Sequence, residues 1–120
     1  MTLFGSSKNN FPWIKLTTPE QLDELIARSH EVPVLLFKHS TSCSISARAI
    51  RRLEDHWKAD ESQAIPVYLD LLAHRSLSNL IADKTGVLHQ SPQAILLKDG
   101  KPVYNASHGS IEPDEIQSLL

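Results

Sequence analysis

The chain has 120 residues, 41% of them hydrophobic and 22% charged, with a formal charge of −2. That is the size and make-up of one soluble domain able to bury a core without disulfide staples or a structural metal, and the charge gives no reason to expect nucleic acid or an anionic membrane as partner. No apolar stretch approaches the roughly 18 residues of a membrane span and the N-terminus lacks a signal peptide's hydrophobic region, so the cytoplasm is the expected location.

Residues 1–12 are polar and rich in small side chains, and read as a flexible leader to a domain spanning 13–120. Trp13-Ile14-Lys15-Leu16 is a short first strand. Thr18-Pro19-Glu20-Gln21 then gives a helix start: N-cap threonine, proline at the first helical position, capping-box glutamine, with Leu22, Leu25 and Ile26 on the buried face. After His30-Glu31-Val32-Pro33, the apolar run Val34 to Phe37 reads as a strand buried on both faces that stops at the polar cluster Lys38-His39-Ser40-Thr41-Ser42. A helix follows, in which Ile45, Ala49, Leu53 and Trp57 recur every four residues with Ile50 beside them.

Ile65 to Leu69 is the next strand, closed by Asp70, with Pro66 placing it at a strand start or a sheet edge. A helix over residues 76–84 ends at Gly86, a left-handed cap. Ala94 to Leu97 and Pro102 to Tyr104 flank Asp99-Gly100, a strong hairpin signal, and a last short helix begins near Pro113. The order β-α-β-α-β-α-β-β-α calls for an α/β domain with a central mixed β-sheet flanked by helices on both faces, which is the element order of the thioredoxin-like fold. In that fold Ser91-Pro92, just before the strand at Ala94, stands where a cis proline belongs.

Cys43 is the only cysteine, so any disulfide this chain makes is to another molecule. It sits near the N-terminus of a helix, where the unpaired amides and the macrodipole favour negative charge and hence the thiolate, the species that attacks disulfides. Cys43-Ser44-Ile45-Ser46 is a C-x-x-S, and serine cannot close a disulfide. Free cysteine is also among the most often buried residue types, so residue chemistry alone leaves a nucleophile and a space-filling thiol both open. His39 and Cys43 are separated by a turn, and with no second cysteine no metal site is expected.

Three segments bear on the choice: Phe37-Lys38-His39-Ser40-Thr41-Ser42-Cys43-Ser44-Ile45-Ser46, Leu77-Ser78-Asn79, and Gly86-Val87 followed by His89-Gln90-Ser91-Pro92-Gln93. In spacing and order they resemble the monothiol bacilliredoxins of the YtxJ type, thioredoxin-like proteins of bacteria that use bacillithiol. The family pattern is similar to Lys-His-Ser-Thr-x-Cys-Pro-Ile-Ser, with His-x-Ser-Pro-Gln at the proline loop. Ser44 departs from it where proline would pre-set the first helical turn.

The resemblance implies that Cys43 takes bacillithiol from S-bacillithiolated client proteins as a mixed disulfide. A second bacillithiol or an external reductase then frees it. It implies bacillithiol as a co-substrate with no bound cofactor. Ser46 is expected to donate a hydrogen bond to the sulfur. Ser44, Thr41 and His39 are expected to support the active site, His39 either tuning the thiolate or holding the loop, with His89 similar. The Ser91 backbone beside Pro92 is expected to align the incoming disulfide.

Arg48, Arg51 and Arg52 either meet the carboxylates of bacillithiol's malate or form a solvated helix face. His30, His56, His74, His108 and Trp57 read as scaffold. Two other functions remain open. Monothiol glutaredoxins share the C-x-x-S ending and carry iron–sulfur clusters, but this chain lacks their Cys-Gly-Phe-Ser and Gly-Gly pair. The other is a thioredoxin-like interaction module in which Cys43 is incidental.

Overall fold

The computed structural model describes residues 11–120, so the expected leader lies outside the described residues except for Phe11 and Pro12. The elements are β1 (Ile14–Lys15), α1 (Pro19–Arg28), β2 (Val34–His39), α2 (Ser44–His56), β3 (Ile65–Asp70), α3 (Arg75–Thr85), β4 (Gln93–Lys98), β5 (Lys101–Ser107), a 3₁₀ turn (His108–Ser110) and α4 (Pro113–Ser118). The sheet runs β1-β3-β2-β4-β5, with β1, β3 and β2 parallel and β4 and β5 antiparallel to their neighbours.

Strand alternation divides the core in two. Val34 and Leu36 of β2 pack with Leu22, Leu25, Leu77 and Ile81 of α1 and α3. Leu35 and Phe37 point the other way, onto Ile50 and Leu53 of α2 and Ile116 of α4. Helices therefore cover both faces.

Local chemistry sets the element ends. Thr18 accepts the Gln21 amide at 3.2 Å, and the Gln21 side chain reaches back one residue further than a capping box, to the Thr17 amide at 2.9 Å. Gly86 closes α3 in the left-handed conformation at φ 75°, as its sequence position requires. Asp99 and Gly100, both at positive φ, form the two-residue hairpin turn whose twist matches the flanking strands. Pro66 pairs with Leu35 of β2 but lies just before the first β1 pairing at Val67, so the missing amide costs no β1 bond. β5 is the outer strand, with exposed Lys101, then Pro102, then a register shift opposite Leu96 and Leu97.

Helix α2 buries a different stripe from the one its apolar periodicity suggests. Ser46, Ile50, Leu53 and Glu54 are its buried residues, while Ile45 is 49% exposed. Glu54 holds its place by accepting the Trp13 indole N–H at 2.5 Å, which ties the start of β1 to α2.

Replacing Leu53, fully buried between α2 and the sheet, by alanine is expected to lower the free energy of urea unfolding by about 2–5 kcal/mol. A loss under about 1 kcal/mol would place α2 outside the cooperative core.

Candidate active site

The ladder of β2 does not stop at Phe37, where the apolar run ends. It continues through Lys38 and His39, which are 0% and 1% exposed. Two polar residues survive in a central strand because each finds a partner, one on each face of the sheet.

His39 lies on the α2 face, its ring beside those of Phe37 and Tyr68, with Nδ1 2.6 Å from the Ser46 hydroxyl. The same hydroxyl accepts the Ser40 amide at 3.0 Å. Burial holds the His39 imidazole below the ordinary histidine value, against the opposing pull of the Asp70 carboxylate and the Ser46 hydrogen bond. Burial thus favours the neutral form of His39, whose ring is bonded to Ser46. Ser46, itself fully buried, fastens the first turn of α2 to the end of β2. The expected donation to the Cys43 sulfur is not among its hydrogen bonds, because the hydroxyl is engaged by His39 and Ser40.

Cys43 is the N-cap residue of α2, extended at φ −110°, ψ 122°, and partly exposed. Its amide donates to the Ser40 carbonyl at 3.1 Å and its carbonyl accepts from Ala47 at 3.0 Å. The side chain makes no capping hydrogen bond, which leaves the sulfur available at the helix end. Thr41 and Ser44 are exposed on either side of it, Ser44 as the first helical residue.

Lys38, on the opposite face, points its Nζ to His89 Nδ1 at 3.3 Å, and the Ser78 hydroxyl of α3 meets the same atom at 2.8 Å. An ammonium can only donate, so the Lys38 contact assigns Nδ1 of His89 as an acceptor. Burial, then the charges of Lys38 and Arg75, hold the His89 imidazole low, consistent with that assignment. Burial also pushes Lys38 down to about 8.

His89 belongs to the loop before β4, where Ser91-Pro92 is cis and Gln93 stands opposite Lys38. Gln93 folds back over that loop, donating to the Leu88 carbonyl at 3.0 Å and accepting the Gln90 amide at 3.3 Å. Cys43 and Pro92 thus follow and precede neighbouring strands at the same end of the sheet. The Ser91 hydroxyl is buried and, among the described residues, has no hydrogen-bond partner.

Each of the three diagnostic segments contributes one member of the Lys38, Ser78 and His89 cluster. Their adjacency in space is invisible in the sequence, but their presence together in those segments was the available signal. His108, read as scaffold, has φ 55° and donates its amide to the Pro92 carbonyl at 3.0 Å, tying the 3₁₀ turn to the cis-proline loop. Arg52 pairs with Glu112 at 2.6 Å. Among the described residues no cluster of three or more histidine, cysteine or acidic side chains converges as metal ligands would, and no helix is long and apolar enough to cross a membrane.

Residues 14–116 match the family model described as monothiol bacilliredoxin BrxC. Among solved structures the chain is similar to a protein described as having a thioredoxin fold, at 33% identity and a TM-score of 0.77 over 89% of this chain and 92% of that one. It also resembles a poplar thioredoxin h mutant, with 15% identity and a TM-score of 0.69 over 92% and 81% of the two chains. Schistosoma mansoni thioredoxin matches at 15% identity and a TM-score of 0.64 over 89% and 91%. At such identities the likeness shows the fold alone.

The buried lysine has a signature in stability against pH. Below pH 8 folded and unfolded Lys38 are both protonated and the folded state bears the cost of burying the charge; between about 8 and the ordinary value of 10.5 the unfolded state binds more protons, so stability rises with pH. Urea midpoints of the parent and Lys38→Met are expected to differ most in favour of methionine below pH 8. The difference should drift toward the parent between pH 8 and 10.5, and a difference independent of pH would show that Lys38 is not desolvated.

Proposed function

The chain belongs to the monothiol bacilliredoxin family, and on that basis we propose that it is a thiol–disulfide oxidoreductase of the cytoplasm that removes bacillithiol from S-bacillithiolated proteins. The observation that carries this reading is Cys43: the sole cysteine, partly exposed at the N-cap of α2, at the same sheet end as the cis Ser91-Pro92 bond.

The Cys43 thiolate attacks the bacillithiol sulfur of the mixed disulfide. The Cys43–bacillithiol bond forms as the client's sulfur bond breaks, and the client leaves as a thiolate that takes a proton from solvent. No second cysteine stands by to resolve the adduct, since Ser46 occupies the fourth position of the motif and is committed to His39. A second bacillithiol, or a dithiol reductase, attacks the adduct and returns Cys43 to the thiolate, forming bacillithiol disulfide or a reductase mixed disulfide. The cis-proline loop, held by Lys38, Ser78 and Gln93, aligns the incoming chain beside the sulfur.

Intact-mass measurement after incubation with bacillithiol disulfide tests the reading. One adduct is expected, on Cys43, absent in Cys43→Ser and removed by excess bacillithiol; a bacillithiolated client should regain its free thiol at the same time. If a small neutral disulfide modifies Cys43 while bacillithiol disulfide does not, the assignment to bacillithiol is wrong.

A further inference from the structure

Beside the helix that carries Cys43 lies a cavity of about 210 Å³, between α2 and the 3₁₀ turn. Its floor is apolar, built from Ile45, Ala49 and Ile111, which explains why Ile45 stays half-exposed on a helix whose other large apolar side chains are buried. Its rim carries the guanidinium groups of Arg48 and Arg52 with the His108 side chain beside them, and no acidic side chain lines it. Arg52 already holds Glu112, whereas Arg48, among the described residues, has no ion-pair or hydrogen-bond partner. Arg51, on the same helix, does not line the cavity.

The location matters as much as the charge. Ile45 is two residues from Cys43 and Arg48 five, a rise of roughly 3 Å and 7–8 Å along the helix axis. On the far wall, the His108 amide is bonded to the Pro92 carbonyl, so the cavity adjoins the cis-proline loop as well. At Gly109 an added Cβ would meet nothing within 4 Å, so the wall there is open.

We propose that this cavity is the seat for the carboxylate-bearing end of the small thiol whose sulfur joins Cys43, with Arg48 as the residue that pairs with the carboxylate. The inference rests on the small-thiol exchange reading of Cys43 given above and adds the residues that select the thiol. A guanidinium with no internal partner offers up to five donors in a planar fork, suited to a carboxylate, and the apolar floor takes the body of the molecule. At about 210 Å³ the cavity is too small for a folded partner. Thiolate Cys43 attacks the symmetrical disulfide of the small thiol, one Cys43–sulfur bond forms, the original sulfur–sulfur bond breaks, and one thiolate leaves. Arg48 acts on the carboxylate that stays bound.

The experiment compares rates of Cys43 adduct formation with three probes: bacillithiol disulfide, glutathione disulfide, and hydroxyethyl disulfide, which carries no carboxylate. Arg48→Glu is expected to slow the first two by about tenfold, the effect of one partly exposed charge-assisted contact, and to leave the third unchanged. Arg48→Lys should recover part of the loss, and Arg51→Glu should alter none of the rates. The proposal is overturned if Arg48→Glu slows all three probes alike or none, or if Arg51→Glu matches it. It is equally overturned if Arg48 matters only for release of a bacillithiolated protein, which would make its partner an acidic segment of the client. Were the parent to react with glutathione disulfide in an Arg48-dependent way but not with bacillithiol disulfide, the bacillithiol reading would fall and the carboxylate seat would stand. A Cys43 inert to all three would remove both.

Discussion

Lys38 and His39 stand next to one another at the end of the central strand, and the pleat sends them to opposite faces of the sheet, both fully buried. A polar group inside a protein must be hydrogen-bonded or it costs on the order of 1–3 kcal/mol. Lys38 meets that demand in His89 of the cis-proline loop, and His39 meets it in Ser46 of the cysteine helix. One strand end thereby fixes both the cis-proline loop and the first turn of the helix that carries Cys43. Neither the loop nor the first turn of α2 can shift without stranding a buried polar side chain.

The two contacts differ in character. His39 and Ser46 are neutral, so their bond is a short link inside an aromatic setting of Phe37 and Tyr68. Lys38 is a cation whose hydrogen-bond partner is an imidazole nitrogen and not a carboxylate, so no opposite charge offsets the loss of water around it, and its proton is held less tightly than an ordinary lysine's. Beneath the site the electrostatics are internal and structural. Outside it, along α2, Arg48 and Arg52 place positive charge where solvent and ligand can reach it.

Much of this was legible in the residues. Caps, the left-handed Gly86 and the Asp99-Gly100 turn are local chemistry, and local chemistry can be read locally. The element order followed from period and breakers, and the cis bond at Pro92 followed from the fold. What escaped was tertiary. Lys38 and His39 read as loop because their partners lie far along the chain or across a turn, and a charged residue with no visible partner is best read as exposed. The stripe through Ile45, Ala49, Leu53 and Trp57 misled for a geometric reason. Steps of four residues advance about 40° round a helix each time, so Ile45 and Trp57 end about 120° apart and cannot share one buried face. Ser46 and Glu54 fill the true face, and only their partners Ser40, His39 and Trp13 make that admissible.

The two borders of the sheet carry a consequence for how other chains can approach. At one border β1 offers two residues, too few to template another strand. At the other, Pro102 withholds an amide, Lys101 adds an exposed charge and the shifted register bends the ladder. Lateral growth of the sheet, whether by a second copy or by an extended peptide, is thus discouraged along both flanks. On the proposed function, an extended partner would be met instead at the end of the sheet where Cys43 and the cis-proline loop stand, and the disulfide would set how long it stays.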